Sequence, residues 1–335
     1  MQKVGIVGAT GYTGLELCRL LASHTEVIIT HVFSKQHAGK SVAELAPHLH
    51  ALASLTFLEF DPDHIPELDI LFLALPHGQS HAFMEKASKQ VKYIIDLSAD
   101  FRLSDPVLFK RYYGIEHENK PLLGEVVFGI PELFREDIAQ STLCANPGCY
   151  PTCSILGLYP LAKEGFIKST VVIDAKSGVS GAGKGLKESS LFCEAQGSVS
   201  AYGTHNHRHL PEIESVLGIS ALFSPHLIPM SRGMLASMYV DCTLDENTLF
   251  SLYQDYYQSE HFVQVCKKPV PHTKYVAGSN HCMISFKACP EIGKVVIFSV
   301  IDNLIKGASG QAVQNMNVML GWNETLGLTQ LPLII

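Results

Sequence analysis

The stretch Cys144-Ala145-Asn146-Pro147-Gly148-Cys149-Tyr150-Pro151-Thr152 concentrates the chemistry of this chain. A strand pattern ends, Pro and Gly make a sharp turn, and a helical pattern begins around Cys149. A thiol at a helix N-terminus feels the positive end of the dipole, so its pKa falls. A thiolate held on a tight turn is placed to attack a carbonyl carbon. Most cysteines are small buried hydrophobes instead, and that is the reading of Cys18, Cys153 and Cys242. The spacing of Cys144, Cys149 and Cys153 does not suit zinc. A cysteine nucleophile needs a histidine from elsewhere in the chain. His205-Asn206-His207-Arg208-His209-Leu210-Pro211-Glu212 supplies three candidates and an arginine. If His209 begins a helical turn, Glu212 lies three positions on and is placed to orient its ring. A zinc site lacking a convincing fourth ligand and plain surface histidines are the rival readings of this run.

A second chemical feature opens the chain. Residues 3–8 read as a strand and run into Gly8-Ala9-Thr10-Gly11-Tyr12-Thr13-Gly14, succeeded directly by a helical pattern. This GxxGxxG is a variant of the dinucleotide fingerprint, whose glycines let the backbone approach a pyrophosphate seated on the helix N-terminus. An NAD site carries a carboxylate about 20 residues further on. Here that place holds Phe33-Ser34-Lys35-Gln36, a hydroxyl and a cation, which favours the 2′-phosphate of NADP(H) over NAD. Two further stretches suit anions. Asp96-Leu97-Ser98-Ala99-Asp100-Phe101-Arg102-Leu103 comes after a strand, at the end where α/β sheets bind ligands. Ser177-Gly178-Val179-Ser180-Gly181-Ala182-Gly183-Lys184-Gly185 is a glycine-rich loop whose N–H groups can form an anion nest with Lys184 beside it. It departs from the Walker pattern in spacing and in having no Ser or Thr directly after its Gly-Lys.

These groups must be positioned by a scaffold, and the pattern is that of two domains. The 335 residues suit about two domains. Up to residue 145, strand patterns at 3–8, 26–33, 69–75, 92–97 and 142–145 alternate with helical ones at 13–22 and 78–89. That alternation implies a parallel sheet covered on both faces. Strand patterns at 170–175, 234–242, 282–288 and 294–301 are not separated by regular helices, which implies a mixed, mostly antiparallel sheet in an α+β domain. Residues 309–320 read as one last helix. A net charge of −7 argues against bulk nucleic-acid binding. No apolar run reaches the roughly 20 residues of a membrane span, and because the sequence enters a strand pattern at once no signal peptide is expected. Nine cysteines, none in CxxC pairs, read as reduced thiols, so the expected location is the cytoplasm.

On these stretches, joined by Asn303-Leu304-Ile305-Lys306-Gly307-Ala308-Ser309-Gly310-Gln311-Ala312, the chain resembles the N-acetyl-γ-glutamyl-phosphate reductase family over essentially its whole length. The resemblance implies an α/β architecture. A Rossmann-type NADP-binding domain at 1–148 would be completed by a C-terminal helix at 308–335. A catalytic and oligomerisation domain would span 149–307, and the chain would form a dimer or tetramer. It implies a Cys149 nucleophile assisted by His207 or His209, with Glu212 beside them. The cofactor contacts it implies are Gly8, Thr10, Gly11, Tyr12, Thr13, Gly14, Ser34, Lys35, Pro76, Ser177, Gly178, Asn303, Lys306 and Gly307. Arg102, Asn146, Ser180, Lys184 and Arg208 would hold a small acyl-phosphate substrate, and no metal is expected. The mechanism implied is thioester formation on Cys149 with loss of phosphate, then reduction to a semialdehyde by NADPH. Aspartate-semialdehyde dehydrogenase is the nearest alternative, but it resembles Asn-Cys, not Gly148-Cys149, at the turn. A lysine-pathway aminoadipyl-phosphate reductase differs by one methylene, worth only about 1–3 kcal/mol of pocket affinity. A non-catalytic NADP-binding redox sensor would need the glycine loop but no nucleophile beside a histidine.

Overall fold

The structure, a computed structural model, describes residues 1–186, 188–268 and 270–333. The chain forms two compact units: residues 1–147 with 308–329, and residues 148–307 with the chain from Gln330 on.

The first unit is built on seven strands: β1 (Gln2–Val7), β2 (Val27–Phe33), β3 (Phe57–Leu58), β4 (Ile70–Leu73), β5 (Tyr93–Asp96), β6 (Val127–Phe128) and β7 (Leu143–Ala145). Their order is β3-β2-β1-β4-β5-β7-β6, and every pair is parallel. The sequence dictates this arrangement through runs such as Ile-Leu-Phe-Leu in β4, buried at every position. A strand buried on both faces has no polar alternation, the mark of a covered parallel sheet. From β1 the chain winds outward to β2 and β3 on one side and to β4 and β5 on the other. The carboxyl end of β1 is therefore the switch point where such sheets bind ligands.

The helix expected at 78–89 shortens to Met84–Ser88. The Asp100 carboxylate accepts N–H bonds from Gly78 (2.6 Å), Ser80 (2.9 Å) and His81 (3.2 Å), which holds this backbone as a loop. Gly78, at φ 78°, makes the bend. The last helix runs Gly310–Met319 and is buried throughout. Its side-chain amides donate inside the unit. Gln311 Nε2 and Asn315 Nδ2 both donate to the Gly129 carbonyl, at 2.7 and 2.9 Å. A helix over all of 308–335 does not form: Gly321 turns the chain at φ 70°. The chain from Gln330 on belongs to the second unit, where the Leu333 N–H donates to the Ala277 carbonyl at 2.8 Å.

The second unit carries β8 (Val171–Gly178), β9 (Ser200–Ala201), β10 (Ala221–Ile228), β11 (Met234–Asp241), β12 (Val263–Val265), β13 (Cys282–Cys289) and β14 (Lys294–Ile301). Their order is β12-β13-β14-β11-β8-β10-β9. Pairing is antiparallel except at β12–β13 and β8–β10. The parallel β8–β10 pair needs a crossover, and the helix Leu210–Leu217 lies on it. Sequence reading missed β10, whose Ala-Leu-Phe-Ser-Pro-His-Leu-Ile carries a proline that masks a strand. Val171, Ile173, Ala175, Phe223, Ala236 and Met238 are buried on the inner face. The helices Cys149–Lys163, Leu210–Leu217 and Glu246–Tyr257 pack there. On the outer face Leu222, Val172 and Tyr239 form one row across β10, β8 and β11, and each is exposed.

Candidate active site

In the second unit, Cys149 is the first residue of its helix and Gly148 the N-cap, at φ −69° and ψ 158°. Pro151 falls in the first turn, where its missing N–H leaves no bond unmade. Cys149 is half-buried, whereas Cys144 and Cys153 are fully buried. Burial holds the Cys144 and Cys153 thiols well above the usual thiol range. Cys153 Sγ donates to the Ser299 carbonyl at 3.2 Å. One turn apart on one helix, Cys149 sits at the dipole's positive end and Cys153 in the core.

The histidine run reaches this helix through Gly148. A Cβ on Gly148 would lie 2.5 Å from His209 Nε2 and 2.8 Å from two ring carbons, so the His209 ring rests on the bare Gly148 backbone. Glu212, 1% exposed, joins the two. Its Oε2 accepts the Gly148 N–H at 3.0 Å, and its Oε1 lies 4.0 Å from His209 Nε2. His209 immediately precedes the Leu210–Leu217 helix, which places Glu212 one turn on, as its spacing predicts.

His207 is placed differently. Burial first, and Arg208 second, lower its pKa to about 4, so the ring is neutral at neutral pH. Its Nδ1 accepts the His209 N–H at 3.1 Å, which leaves the ring proton on Nε2. Tyr150, Tyr202, His209 and Phe223 surround it edge-on, with ring centroids 4.8–5.6 Å away. The Tyr150 and Tyr202 hydroxyls meet at 3.1 Å. Neither tyrosine stands out in the sequence; the signal that could have found Tyr150 is its place beside the cysteine.

The glycine-rich loop after β8 is stitched to the segment before β11. The N–H groups of Val179 and Ser180 donate to the carbonyls of Met230 and Ser231. Asn303 ties both, its Nδ2 donating to Ser180 Oγ at 3.0 Å and its Oδ1 accepting the Gly233 N–H at 2.7 Å. Ser177 is buried beside them, and Gly178 is required because a Cβ would lie 2.7 Å from the Met230 carbonyl oxygen. Lys306 is wholly buried, its Nζ 5.6 Å from the Phe262 ring centre. Gly307 lies against Cys149, where a Cβ would come within 2.7 Å of the Cys149 Cβ. Lys184 and Arg208 are exposed. Among the described residues no group of His, Cys, Asp and Glu is arranged to hold a metal.

In the first unit the other predicted residues gather at the carboxyl ends of β1, β2, β4, β5 and β7. Gly8, at φ 81°, carries no Cβ because one would strike the Ala74 carbonyl oxygen, and a Cβ on Gly14 would strike that of Gly8. Gly11 caps the helix Tyr12–Leu21 without a side-chain bond, which leaves that helix end and its first residues, Tyr12 and Thr13, to a bound anion. Thr10 Oγ1 and Ser34 Oγ meet at 2.9 Å, and Lys35 stands exposed at the end of β2. Pro76 is exposed on the loop after β4. Arg102 donates from Nη2 to the Leu97 carbonyl at 2.8 Å. Asn146 is buried, its N–H on the Asp96 carbonyl and its Nδ2 on that of Ala308. This cradle fits a phosphorylated dinucleotide: close backbone approach, an open helix end, two hydroxyls and a cation, with no carboxylate at 33–36.

Comparison with known proteins agrees with both halves. A family model described as the semialdehyde dehydrogenase NAD binding domain matches residues 3–141, and one described as the semialdehyde dehydrogenase dimerisation domain matches 149–303. Similar solved structures include aspartate semialdehyde dehydrogenase II from Vibrio cholerae complexed with ASA (TM-score 0.73, 16% identity, 96% of this chain and 98% of that one). The aspartate semialdehyde dehydrogenase of Candida albicans with NADP (TM-score 0.74, 13% identity, 96% and 98%) is another. At such identities they speak for the fold alone. The N-acetyl-gamma-glutamyl-phosphate reductase of Alkaliphilus metalliredigens is 44% identical over 99% of both chains. That of Desulforamulus reducens is 47% identical over 98% of both, and that of Geotalea daltonii 47% over 99% of both. The chain therefore belongs to the N-acetyl-gamma-glutamyl-phosphate reductase family.

Proposed function

We propose that this enzyme reduces N-acetyl-γ-glutamyl phosphate to N-acetylglutamate 5-semialdehyde and phosphate with NADPH, a step of arginine biosynthesis. The observation that carries the reading is the placement of Cys149 as the first residue of a helix whose N-cap, Gly148, touches both His209 and Glu212. Full-length relatives at 44–47% identity supply the substrate.

In this mechanism Cys149 Sγ forms a bond to the γ-acyl carbon. The tetrahedral oxyanion collapses, the C–O bond to phosphate breaks, and a thioester remains. N–H groups at the start of the Cys149 helix are the candidates for stabilising the oxyanion. Residues 8–14, Ser34, Lys35 and Pro76 would hold NADPH in the first unit, and Ser177, Gly178, Asn303, Lys306 and Gly307 are the further candidates for cofactor contacts. When bound, NADPH supplies the hydride that reduces the thioester carbon. His209, held by Glu212, stabilises the oxyanion and then gives its proton to the Cys149 sulfur as the C–S bond breaks and the aldehyde departs. His207 is assigned a supporting role. It is neutral at working pH and carries the His209 backbone on its Nδ1. Arg102, Asn146, Ser180, Lys184 and Arg208 are the candidates for the substrate's phosphate and carboxylate.

The same reading makes the enzyme a cytoplasmic homo-oligomer, a dimer or tetramer. Its nine cysteines stand as thiols, and among the described residues no helix is long and apolar enough to cross a membrane. The exposed apolar row on the second sheet and the dimerisation-domain match support self-association. A panel of acyl phosphates assayed with NADPH tests the function. Preference for N-acetyl-γ-glutamyl phosphate is expected, and preference for aspartyl or aminoadipyl phosphate would refute it.

A further inference from the structure

Cys149 meets the turn 302–307 through Gly307, on a side other than the one His209 and Glu212 approach. β14 ends at Ile301, and Asp302, wholly buried, comes next. Its Oδ1 accepts the N–H groups of Leu304 (2.9 Å) and Ile305 (3.3 Å). Its Oδ2 accepts the Gly278 N–H (2.7 Å) and Arg232 Nη1 (3.3 Å). Its backbone carbonyl accepts the Gly307 N–H at 2.9 Å. One residue thus winds the whole turn 302–307 and anchors it to two other segments. The turn enters a π-helical stretch, Ile305–Ser309, a rare geometry that recurs at functional sites. It ends with Gly307 on the nucleophile: a Cβ there would lie 2.7 Å from the Cys149 Cβ and 3.2 Å from its Cα.

We propose that Asp302 is a positioning residue for Cys149, acting through the turn it winds and through the bare Cα of Gly307, which fixes the place of the Cys149 Cα–Cβ bond from which the thiol projects. The proposal rests on Cys149 as the nucleophile and adds what aims it. A nucleophile whose Cα–Cβ bond can shift is carried away from the acyl carbon for part of the time, and a wall against that bond removes this freedom. Arg232 stands behind Asp302 as the charge that faces its carboxylate. Neither Asp302 nor Arg232 is singled out by sequence, because the Asp302 contacts come from Gly278 and Arg232, 24 and 70 residues away.

The test compares wild type, Gly307→Ala and Asp302→Asn. The Asn is isosteric but turns an amide N–H₂ toward donors that need an acceptor. Alkylation of Cys149 by iodoacetamide is tracked by mass spectrometry of its peptide across a pH series, with exposed Cys193 as internal control. Both variants should alkylate Cys149 at least about tenfold more slowly, with a displaced pH profile, while Cys193 reacts as in wild type. A merely structural role would lower the melting temperature and leave the profile of the folded protein unchanged. Cys149 profiles matching wild type in both folded variants would overturn the proposal. If Asp302→Asn fails to fold, Gly307→Ala carries the test alone. Acylation of wild type by the acyl phosphate, run alongside, separates the two readings. A Cys149 adduct with unchanged variants sinks only the positioning role, whereas no adduct on Cys149 sinks the nucleophile itself.

Discussion

Replacing Gly148 with alanine isolates the contact between the nucleophile's helix and the histidine. The backbone at Gly148 is ordinary extended chain at φ −69°, so alanine adopts it without strain. The added Cβ would lie 2.5 Å from His209 Nε2, and the ring must retreat by about 0.9 Å to regain an ordinary 3.4 Å contact. A displacement of about 1 Å at a reacting group costs on the order of 100-fold in rate, so kcat should fall by about that factor. Stability should fall by only about 1 kcal/mol, the preference of an N-cap for glycine over alanine. Steady-state kcat with acyl phosphate and NADPH, measured beside the thermal midpoint, reads both effects. NADPH affinity should hold, because the glycine loop lies elsewhere. A Gly148→Ala enzyme that is folded and keeps kcat within about threefold of wild type would refute the reasoning, since His209 would then have no role that depends on its distance from this helix.

Other expectations rest on the same geometry. Cys149→Ala should abolish turnover with NADPH affinity nearly intact, and Cys153→Ala, in the core, should keep activity with a modest stability loss; kinetics and cofactor titration check both. kcat/KM should favour NADPH over NADH by about tenfold or more, since a 2′-phosphate contact of roughly 1.4 kcal/mol at Ser34 and Lys35 suffices, and Lys35→Glu should erase the preference. His209→Asn should lower kcat by about 100-fold, within the usual range for acid–base help, and His207→Asn by less. His207, at about 4 against 6.5 unfolded, stabilises the fold above pH 6.5 and loses that contribution as pH falls toward 4. The urea midpoint of wild type should therefore drop between pH 7 and 4.5 by more than that of His207→Gln. Because buried Asp96, raised to about 6, acts with the opposite sign, the difference between the two proteins is the readout.

Local chemistry carried what was legible in the sequence. The glycine spacing from Gly8 to Gly14 reflects contacts with Ala74 and within the loop itself, and those demands are written in residue type. The Pro-Gly-Cys turn and the Glu212 spacing are local too. The choice between His207 and His209 was not legible, because it depends on which ring meets Gly148 and which sits among Tyr150, Tyr202 and Phe223. The helix expected at 78–89 failed for the same kind of reason: Asp100, about 20 residues on, takes the backbone N–H groups that a helix would use. β10 was hidden by Pro225, and the hub at Asp302 by contacts distant in sequence.

The central claim is a thioester on Cys149 that leaves to phosphate. Run in reverse, the semialdehyde adds to Cys149 Sγ, hydride passes to NADP, and a thioester remains that phosphate must remove. With phosphate stripped enzymatically, at high pH and excess NADP, the enzyme should release a burst of NADPH of at most one equivalent per site and then nearly stall. Added phosphate should restore steady turnover. A full steady rate without phosphate would mean that the acyl group leaves to water as readily as to phosphate, and would contradict the account.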